Sequence, residues 1–248
     1  MIALIAATEI ETALLREAIA GAASARCGRY DLQKGRISRQ LISLLHTGVG
    51  KVNAALATQA LLSERKPVAV ILFGCGGAYS GRGLNIGDVA LADEEIYGDE
   101  GVFTPAGFLD MQKIGFPLCS NDDASFYNHL PLHKELHSQA RARLKAFLSP
   151  QGRHLAPGPF VTVSTCSGTD EAGLQMARQT GGICENMEGA AVTHVCLQHN
   201  VPLLEIRGIS NLTVDRDPER WNIPAAAEIA QQCVLELLKD WNSLEKAL

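Results

Sequence analysis

The feature that most restricts how this chain folds is a repeated alternation of short apolar runs with amphipathic segments. Four of the apolar runs read MIALIAA, QLISLLHTGVG, PVAVILFGCGGA and PLLEIRGIS, and each has the length and composition of a buried strand. The segments between them include KVNAALATQALLSER, whose apolar residues recur with the period of a helix. This alternation predicts an α/β fold, a three-layer αβα sandwich with a mixed, mostly parallel central sheet.

Glycines and polar residues gather where the predicted strands end. They occupy positions 47–48, 74–77, 164–168 and 207–211. Ligands of open α/β sheets bind beyond the carboxyl ends of the strands. We therefore expect these four segments to meet at one ligand site, with a glycine turn at 74–77.

The length of 248 residues suits one large domain. We expect a single domain over residues 1–248, with an excursion at about 99–159 where the alternation weakens. The excursion is predicted to contain one helix, at 133–148. Near the amino terminus, EIETALLREAIAG predicts a helix that ends at Gly21.

Charge and cysteine content narrow the class of function. The net charge is −5 and no cluster of lysine and arginine is visible, which argues against a nucleic-acid or membrane-surface binder. Seven scattered cysteines without a CxxC pair predict reduced thiols and no metal site. No run approaches the ~20 apolar residues of a membrane span, and the first residues lack a basic signal-peptide region. We expect a cytoplasmic protein that acts on a small molecule.

Several residues at the strand ends have both a structural and a chemical interpretation. The glycines at 74–77 suit a phosphate cradle or a close crossing of strand and helix. Glu188, at the start of a small-residue helix, suits a helix cap or a carboxylate bound to ribose hydroxyls. Of Glu9 and Glu11, we expect one to be solvated and the other to face a cleft. His46 is a candidate base, although a structural histidine is the favoured interpretation.

Six segments in register resemble the purine nucleoside phosphorylase and nucleosidase superfamily. They are AATEIETALL, HTGVGKVNAALA, GCGGA followed by LNIGDVALADEEIYGD, STCSGT, NMEGAAVTHVC and IRGISN, and they span nearly the whole chain. Two further segments, GVFTPAGFLDMQKIGFPL and RGISNLTVDRDPERWN, look like those of futalosine hydrolases. The resemblance to methylthioadenosine/adenosylhomocysteine nucleosidases is more distant.

The resemblance implies roles for residues near the attacking water. Glu11 stands where the nucleosidases keep a glutamate that holds and activates the water. Arg207 matches the arginine that helps to orient that glutamate and the water. Cys75 stands where the adenine nucleosidases have a serine near the water.

The resemblance also implies contacts to the ribose and the base. Met187 and Glu188 match the pair that packs under the ribose and hydrogen-bonds to it, and Gly77 matches a backbone contact to the base. Backbone groups around 169–172 are expected to meet the base as well.

Asn211 is the residue that bears on which base is recognised. The adenine-specific nucleosidases keep an aspartate at the matching position. Hypoxanthine presents two acceptors, O6 and N7, and an amide NH₂ supplies donors where an ionised aspartate would repel O6. Asn211 therefore favours a 6-oxopurine nucleoside such as futalosine.

The resemblance implies a hydrolase that releases hypoxanthine from futalosine with water and without a metal or organic cofactor, as a homo-oligomer, either a dimer or a tetramer. No arginine lies in the loop after the first strand, which favours water over phosphate as the nucleophile. The alternatives are a phosphorylase or hydrolase of other 6-oxopurine nucleosides, a methylthioadenosine/adenosylhomocysteine nucleosidase, and a non-catalytic purine-binding protein.

Overall fold

The computed structural model describes residues 1–121 and 124–246, and ten of the fourteen strands in that part of the chain are joined in one sheet. In chain order the strands are β1 (Ile2–Ala6), β2 (Ala20–Cys27), β3 (Tyr30–Ile37), β4 (Gln40–His46), β5 (Ala69–Ala78), β6 (Val89–Tyr97), β7 (Gly101–Thr104), β8 (Gly107–Asp110), β9 (Cys119–Ser120), β10 (Ser125–Phe126), β11 (His129–Pro131), β12 (Leu155–Thr162), β13 (Cys184–Asn186) and β14 (Leu203–Leu212). The helices are α1 (Ala13–Ala18), α2 (Lys51–Glu64), α3 (Met111–Ile114), α4 (Lys134–Leu148), α5 (Asp170–Thr180), α6 (Gly189–Gln198), α7 (Ile223–Lys239) and α8 (Trp241–Glu245).

The main sheet is mixed, as the sequence predicts. Its order is β11-β6-β12-β13-β5-β1-β4-β3-β2, and β14 pairs with both β5 and β6. Parallel pairing joins β4, β1, β5 and β14, and also β6, β12 and β13. The remaining pairs are antiparallel, including the β2–β3–β4 ladder.

Two apolar cores, one on each face of the sheet, produce the three layers. Successive side chains of a strand point to opposite faces, and β1 follows this rule. Ile2 and Leu4 pack in a core with residues of α4 and α7, whereas Ala3 and Ile5 pack in a core with residues of α2 and α6. Helices therefore cover both faces, and the predicted αβα sandwich is confirmed.

The amino-terminal helix differs from the prediction. A 3-10 turn at Glu9–Thr12 leads into the short helix α1, which ends at Ala18, and Gly21 lies in β2. The hairpin of β2 and β3 is absent from the sequence prediction. Its first strand, AGAASARC, is almost wholly exposed at the sheet edge, so it lacks the apolar run that marks a buried strand.

The glycines at 74–77 do not form the predicted turn. Gly74, Gly76 and Gly77 lie inside β5 and pair in register with β14. The strand continues to Ala78 because β14 pairs with it from Val70 to its end, while on the other edge β1 pairs with residues 69–72 and β13 with residues 77–78.

The segment 99–159 contains more structure than the one expected helix. It holds the β7–β8 hairpin, the short α3, the β9–β10 pair, the edge strand β11, and α4, for which His133 is the amino-terminal cap. The strand β12 begins within it, at Leu155. Across the described residues, no helix is long and apolar enough to cross a membrane.

A close contact between β14 and α7 yields a testable prediction. A Cβ atom on Gly208 would overlap the backbone carbonyl of Ala226 in the first turn of α7. Because backbone cannot move aside cheaply, we expect Gly208→Ala to lower the free energy of unfolding by about 1–3 kcal/mol. Urea denaturation followed by circular dichroism measures the change.

Gly168→Ala is the matched control, since a Cβ there would meet open space. That variant is expected to unfold at the same urea concentration as the wild type or slightly higher. Equal stability of Gly208→Ala and the wild type would contradict the packing argument.

Candidate functional site

A cavity of about 420 Å³ lies at the carboxyl ends of β1, β5 and β14, closed on one side by β13 and the start of α6. Its wall includes all seven residues that the sequence singles out, namely Glu11, Cys75, Gly77, Met187, Glu188, Arg207 and Asn211. The structure therefore brings together side chains that are up to 200 positions apart in sequence. Residues of three of the four strand-end segments, 74–77, 164–168 and 207–211, line the cavity, and at the fourth Val49 lines it rather than Thr47 or Gly48.

Glu11 is held rigidly at the cavity wall. Its side chain is buried, and the backbone N–H and the hydroxyl of Thr8 donate to Oε2 at 3.0 and 2.9 Å. The backbone N–H of Cys75 donates to Oε1 at 2.9 Å. Glu9, by contrast, is exposed and contacts Arg16. Glu9 is therefore solvated and Glu11 faces the cavity, as the sequence predicts for one glutamate of each kind.

Arg207 is a fully buried cation surrounded by acceptors. Its Nε donates to Glu205 Oε1 at 2.9 Å, and these residues share a strand face because they are two positions apart. Its Nη1 lies 3.4 Å from Glu188 Oε2 and donates to the Cys75 carbonyl at 3.1 Å. The Cys75 peptide therefore joins Glu11, through its N–H, to Arg207, through its carbonyl.

Glu188 is held by a contact to each of its two carboxylate oxygens. Its Oε1 accepts from the backbone N–H of Gly50 at 3.0 Å, while Oε2 faces Arg207. The carboxylate is thus fixed by α2 and β14 as well as by its own place before α6. Met187, the preceding residue, is half-buried and lines the cavity beside it.

Two further carboxyls lie behind the Arg207–Glu188 pair. Glu95 and Glu205 are both completely buried, and a Cβ on Gly189 would overlap both carboxyls. Burial, reinforced by the charge of Glu205, raises the pKa of Glu95 well above its usual value. Glu205, which pairs directly with Arg207, is the ionised partner. A proton on Glu95 supplies the donor that Glu205 Oε2 otherwise lacks among the described residues.

The glycines of β5 make room for these side chains. A Cβ on Gly74 would overlap Glu11 Oε1, and one on Gly77 would lie 3.1 Å from Asn211 Nδ2. A Cβ on Gly76 would lie 3.1 Å from Arg207 Cβ. Of the two interpretations left open by the sequence, the structure favours close packing, with side chains of neighbouring strands occupying the space.

Cys75 contributes its backbone more than its thiol. Burial raises the pKa of the Cys75 thiol to about 12, and the Sγ donates to the carbonyl of Ile223 at 3.5 Å. The thiol is therefore neutral at physiological pH and oriented toward α7.

A β-bulge presents Asn211 to the cavity. The register between β14 and β5 shifts between Ile209 and Asn211, so that Ser210 is the extra residue. Bulges re-aim side chains next to binding sites, and both Ser210 and Asn211 line the cavity. Asn211 Nδ2 donates to the Leu212 carbonyl at 3.1 Å, and Ser210 Oγ donates to Asn211 Oδ1 at 2.8 Å. One amide N–H, rather than both, is left for a ligand.

The wall next to Asn211 differs from the expectation. Residues 169–172 begin α5, with Thr169 as its cap, and the cavity is lined instead by Cys166 and Ser167. Glu185 also lines the cavity, and sequence analysis missed it because β13 is only three residues long. The signal available was an acidic residue in CENME, directly before the site motif.

The remaining candidate base is structural. His46 Nε2 lies 2.7 Å from Thr12 Oγ1, and burial lowers the pKa of the imidazole. His46 is not among the residues that line this cavity. The favoured interpretation of this histidine agrees with its contacts.

The buried Glu95 proton predicts a pH dependence of stability. The folded protein retains this proton at pH values where the unfolded chain, with a glutamate pKa near 4.3, releases it. Stability is therefore full below about pH 4.3 for this group and is lost as pH rises, by up to about 1.4 kcal/mol per pH unit. We expect Glu95→Gln to reduce the fall in unfolding free energy as the pH rises above the unfolded pKa of about 4.3, measured by urea denaturation.

Glu17→Gln makes the same substitution at an exposed carboxylate and is expected to keep the wild-type slope. If Glu95→Gln also kept it, Glu95 would be ionised in the folded protein.

Comparison with known proteins agrees with this geometry. The sequence model of the Phosphorylase superfamily matches residues 1–239. A futalosine hydrolase of Thermus thermophilus is 33% identical over 196 residues, covering 79% of this chain and 80% of that protein. A 5'-methylthioadenosine/S-adenosylhomocysteine nucleosidase of Geobacillus kaustophilus is 29% identical over 240 residues, which is 95% of each chain.

Solved structures share the fold over nearly the whole chain. The 5'-methylthioadenosine/S-adenosylhomocysteine nucleosidase of Neisseria meningitidis, in complex with methylthio-immucillin-A, has a TM-score of 0.82 at 24% identity. The match covers 96% of this chain and 98% of that one. With the match to the superfamily model over residues 1–239, these findings show that the chain belongs to the phosphorylase superfamily.

Proposed function

We propose that this N-glycosyl hydrolase acts on futalosine, using water to release hypoxanthine and dehypoxanthinyl futalosine in menaquinone biosynthesis. The observation that carries the proposal is the meeting of Glu11, Glu188 and Asn211 at one cavity. The similarity to the Thermus thermophilus futalosine hydrolase supports the choice of substrate. We further propose that the enzyme is cytoplasmic and acts as a homo-oligomer.

The three residues suit the three charges that develop during the reaction. Cleavage of an N-glycosidic bond passes through an oxocarbenium-like state, as glycoside hydrolysis does. Glu11, held by Thr8 and the Cys75 N–H, is the base for the attacking water. Glu188 stabilises the positive ribose, and the free N–H of Asn211 stabilises negative charge on the departing base.

The charges around the cavity favour water over phosphate. Glu11, Glu185 and Glu188 all line the cavity, and they would repel a phosphate dianion. Arg207 is already paired with Glu205 and Glu188. Arg216, the second arginine in the lining, stacks on the ring of Trp221. Because the three carboxylates outnumber these two arginines and the charge of Arg207 is already compensated, a neutral nucleophile suits the site better.

The second candidate substrate is an adenine nucleoside such as 5'-methylthioadenosine. The Geobacillus kaustophilus nucleosidase aligns with 95% of the chain, which favours this candidate by coverage. Against it, the bulge presents an amide rather than an acid, and an amide N–H cannot supply a proton to adenine N7. Other 6-oxopurine nucleosides and a non-catalytic purine-binding role are the remaining alternatives.

The direct test measures hypoxanthine release from futalosine, with 5'-methylthioadenosine as the competing substrate. We expect release from futalosine at a rate that does not depend on added phosphate. Glu11→Gln is expected to lower kcat by about 10²–10⁴-fold while still binding hypoxanthine, because it removes the general base without changing the shape of the side chain.

Glu9→Gln is the control for this variant, since Glu9 is exposed and two positions away. It is expected to retain wild-type turnover. Turnover of 5'-methylthioadenosine in preference to futalosine would overturn the choice of substrate, and phosphate-dependent release would identify a phosphorylase.

Asn211→Asp tests the assignment of the base. An ionised aspartate removes the donor and places a negative charge near O6, so we expect kcat/KM for futalosine to fall by about 10²–10³-fold. Asn211→Ala removes the donor without adding charge and is expected to lose less. Comparable kcat/KM values for Asn211→Asp and the wild type would contradict a donor role for the amide.

A further inference from the structure

Glu185 is a buried acid in the cavity wall for which the proposed reaction has no use. It lies in the short strand β13, its side chain is 5% exposed, and it lines the same cavity as Asn211. A buried carboxylate is costly unless hydrogen bonds satisfy its oxygens. The number of hydrogen bonds that it accepts from the protein therefore indicates how many acceptor sites remain for a ligand.

Three donors from the protein reach this carboxylate. The backbone N–H of Ser167 donates to Oε1 at 2.8 Å, and the Ser167 hydroxyl donates to Oε2 at 2.6 Å. The buried hydroxyl of Tyr79 donates to Oε2 at 3.0 Å. A carboxylate has about four acceptor sites, so one acceptor site is left beside the cavity. The three donors also fix the orientation of the side chain.

The pairing of strands sets Glu185 opposite Asn211. Gly77 of β5 is the register partner of Glu185 in β13 and of Asn211 in β14. Adjacent strands lie about 4.8 Å apart, so the Cα atoms of the two residues are separated by roughly 10 Å. A Cβ on Gly77, between them, would lie 3.1 Å from Asn211 Nδ2, so the Asn211 amide extends over this glycine, and Glu185 and Asn211 both line the cavity. The two side chains therefore border one space from opposite sides, an acceptor on one side and a donor on the other.

We propose that Glu185 determines which purine is accepted, by taking the hydrogen bond of the N1–H of a 6-oxopurine while Asn211 donates to the O6/N7 edge. A 6-oxopurine has a hydrogen on N1, whereas a 6-aminopurine has an unprotonated N1 that would face the carboxylate as a second acceptor. The proposal rests on the proposed function in that it assigns the specificity of the same site. It adds a second specificity residue, on a different strand from Asn211.

Binding of free bases tests this without relying on turnover. Isothermal titration with the full chain compares hypoxanthine, 1-methylhypoxanthine, which lacks the N1 hydrogen, and adenine. The wild type is expected to bind hypoxanthine at least tenfold more tightly than either of the others, because a hydrogen bond to a charged acceptor is lost with both.

Glu185→Gln keeps the size of the side chain and replaces one acceptor oxygen by a donor. It is expected to lower the hypoxanthine-to-adenine affinity ratio by at least tenfold. Tyr79→Phe is the matched control, since it removes one donor to the same carboxylate but leaves the carboxylate in place. That variant is expected to keep the wild-type preference for hypoxanthine over 1-methylhypoxanthine.

Three results would overturn the proposal. The first is that the wild type binds the three bases with equal affinity or binds none of them. The second is that Glu185→Gln loses the same affinity for every base. The third is that Tyr79→Phe loses the preference for hypoxanthine over 1-methylhypoxanthine. The equal loss would mean that Glu185 only holds Ser167 in position. If the protein discriminates between the bases but does not hydrolyse futalosine, the proposed substrate is wrong and this inference stands. If it hydrolyses futalosine but does not discriminate at N1, the proposed substrate stands and this inference is wrong.

Discussion

The buried guanidinium of Arg207 is the interaction on which the site depends. It contacts Glu205, Glu188 and the Cys75 carbonyl, and the same peptide binds Glu11 through its N–H. Removing one member of a buried ion pair leaves the other charge uncompensated, at a cost of about 3–5 kcal/mol. The geometry of the carboxylates that line the cavity and the stability of the β5–β14 pair are therefore coupled. The proton on Glu95 also stabilises this arrangement, because it limits the number of negative charges around the single cation Arg207.

That arrangement also explains why β5 is rich in glycine. In an ordinary central strand, side chains from neighbouring strands pack against one another, whereas here the space above Gly74, Gly76 and Gly77 is taken by site residues. The strand keeps its ladder hydrogen bonds with β14, so the loss of side-chain packing does not interrupt the sheet. Glycines that look like a turn in sequence are thus compatible with a strand when one edge is paired along its whole length.

How much the sequence could predict depended on whether a residue's partners are local. The strands β1, β4, β5 and β14 and the helices α2, α6 and α7 follow from apolar runs and periodicity, which act over a few residues. The strand β13 is defined by pairing with the distant strands β5 and β12, and β2 is an exposed edge strand without an apolar run, so neither has a strong local pattern. No local pattern marks Glu185 for that reason, and the lining residues Cys166 and Ser167 lie a few residues before the predicted segment 169–172.

The two sides of the proposed base pocket have different effects on the reaction. A donor such as Asn211 interacts more strongly as negative charge gathers on the departing purine, so it favours the transition state over the bound substrate. A carboxylate such as Glu185 gains nothing from that charge, since its bond to N1–H is formed before the reaction begins. Binding of this kind selects the substrate without speeding its cleavage. The donors from Tyr79 and Ser167 limit the repulsion between Glu185 and the leaving base, because they spread the negative charge of the carboxylate. Under the proposed assignment, Glu185 of β13 contributes to selection of the substrate and Asn211 of β14 to the rate of cleavage, on either side of Gly77.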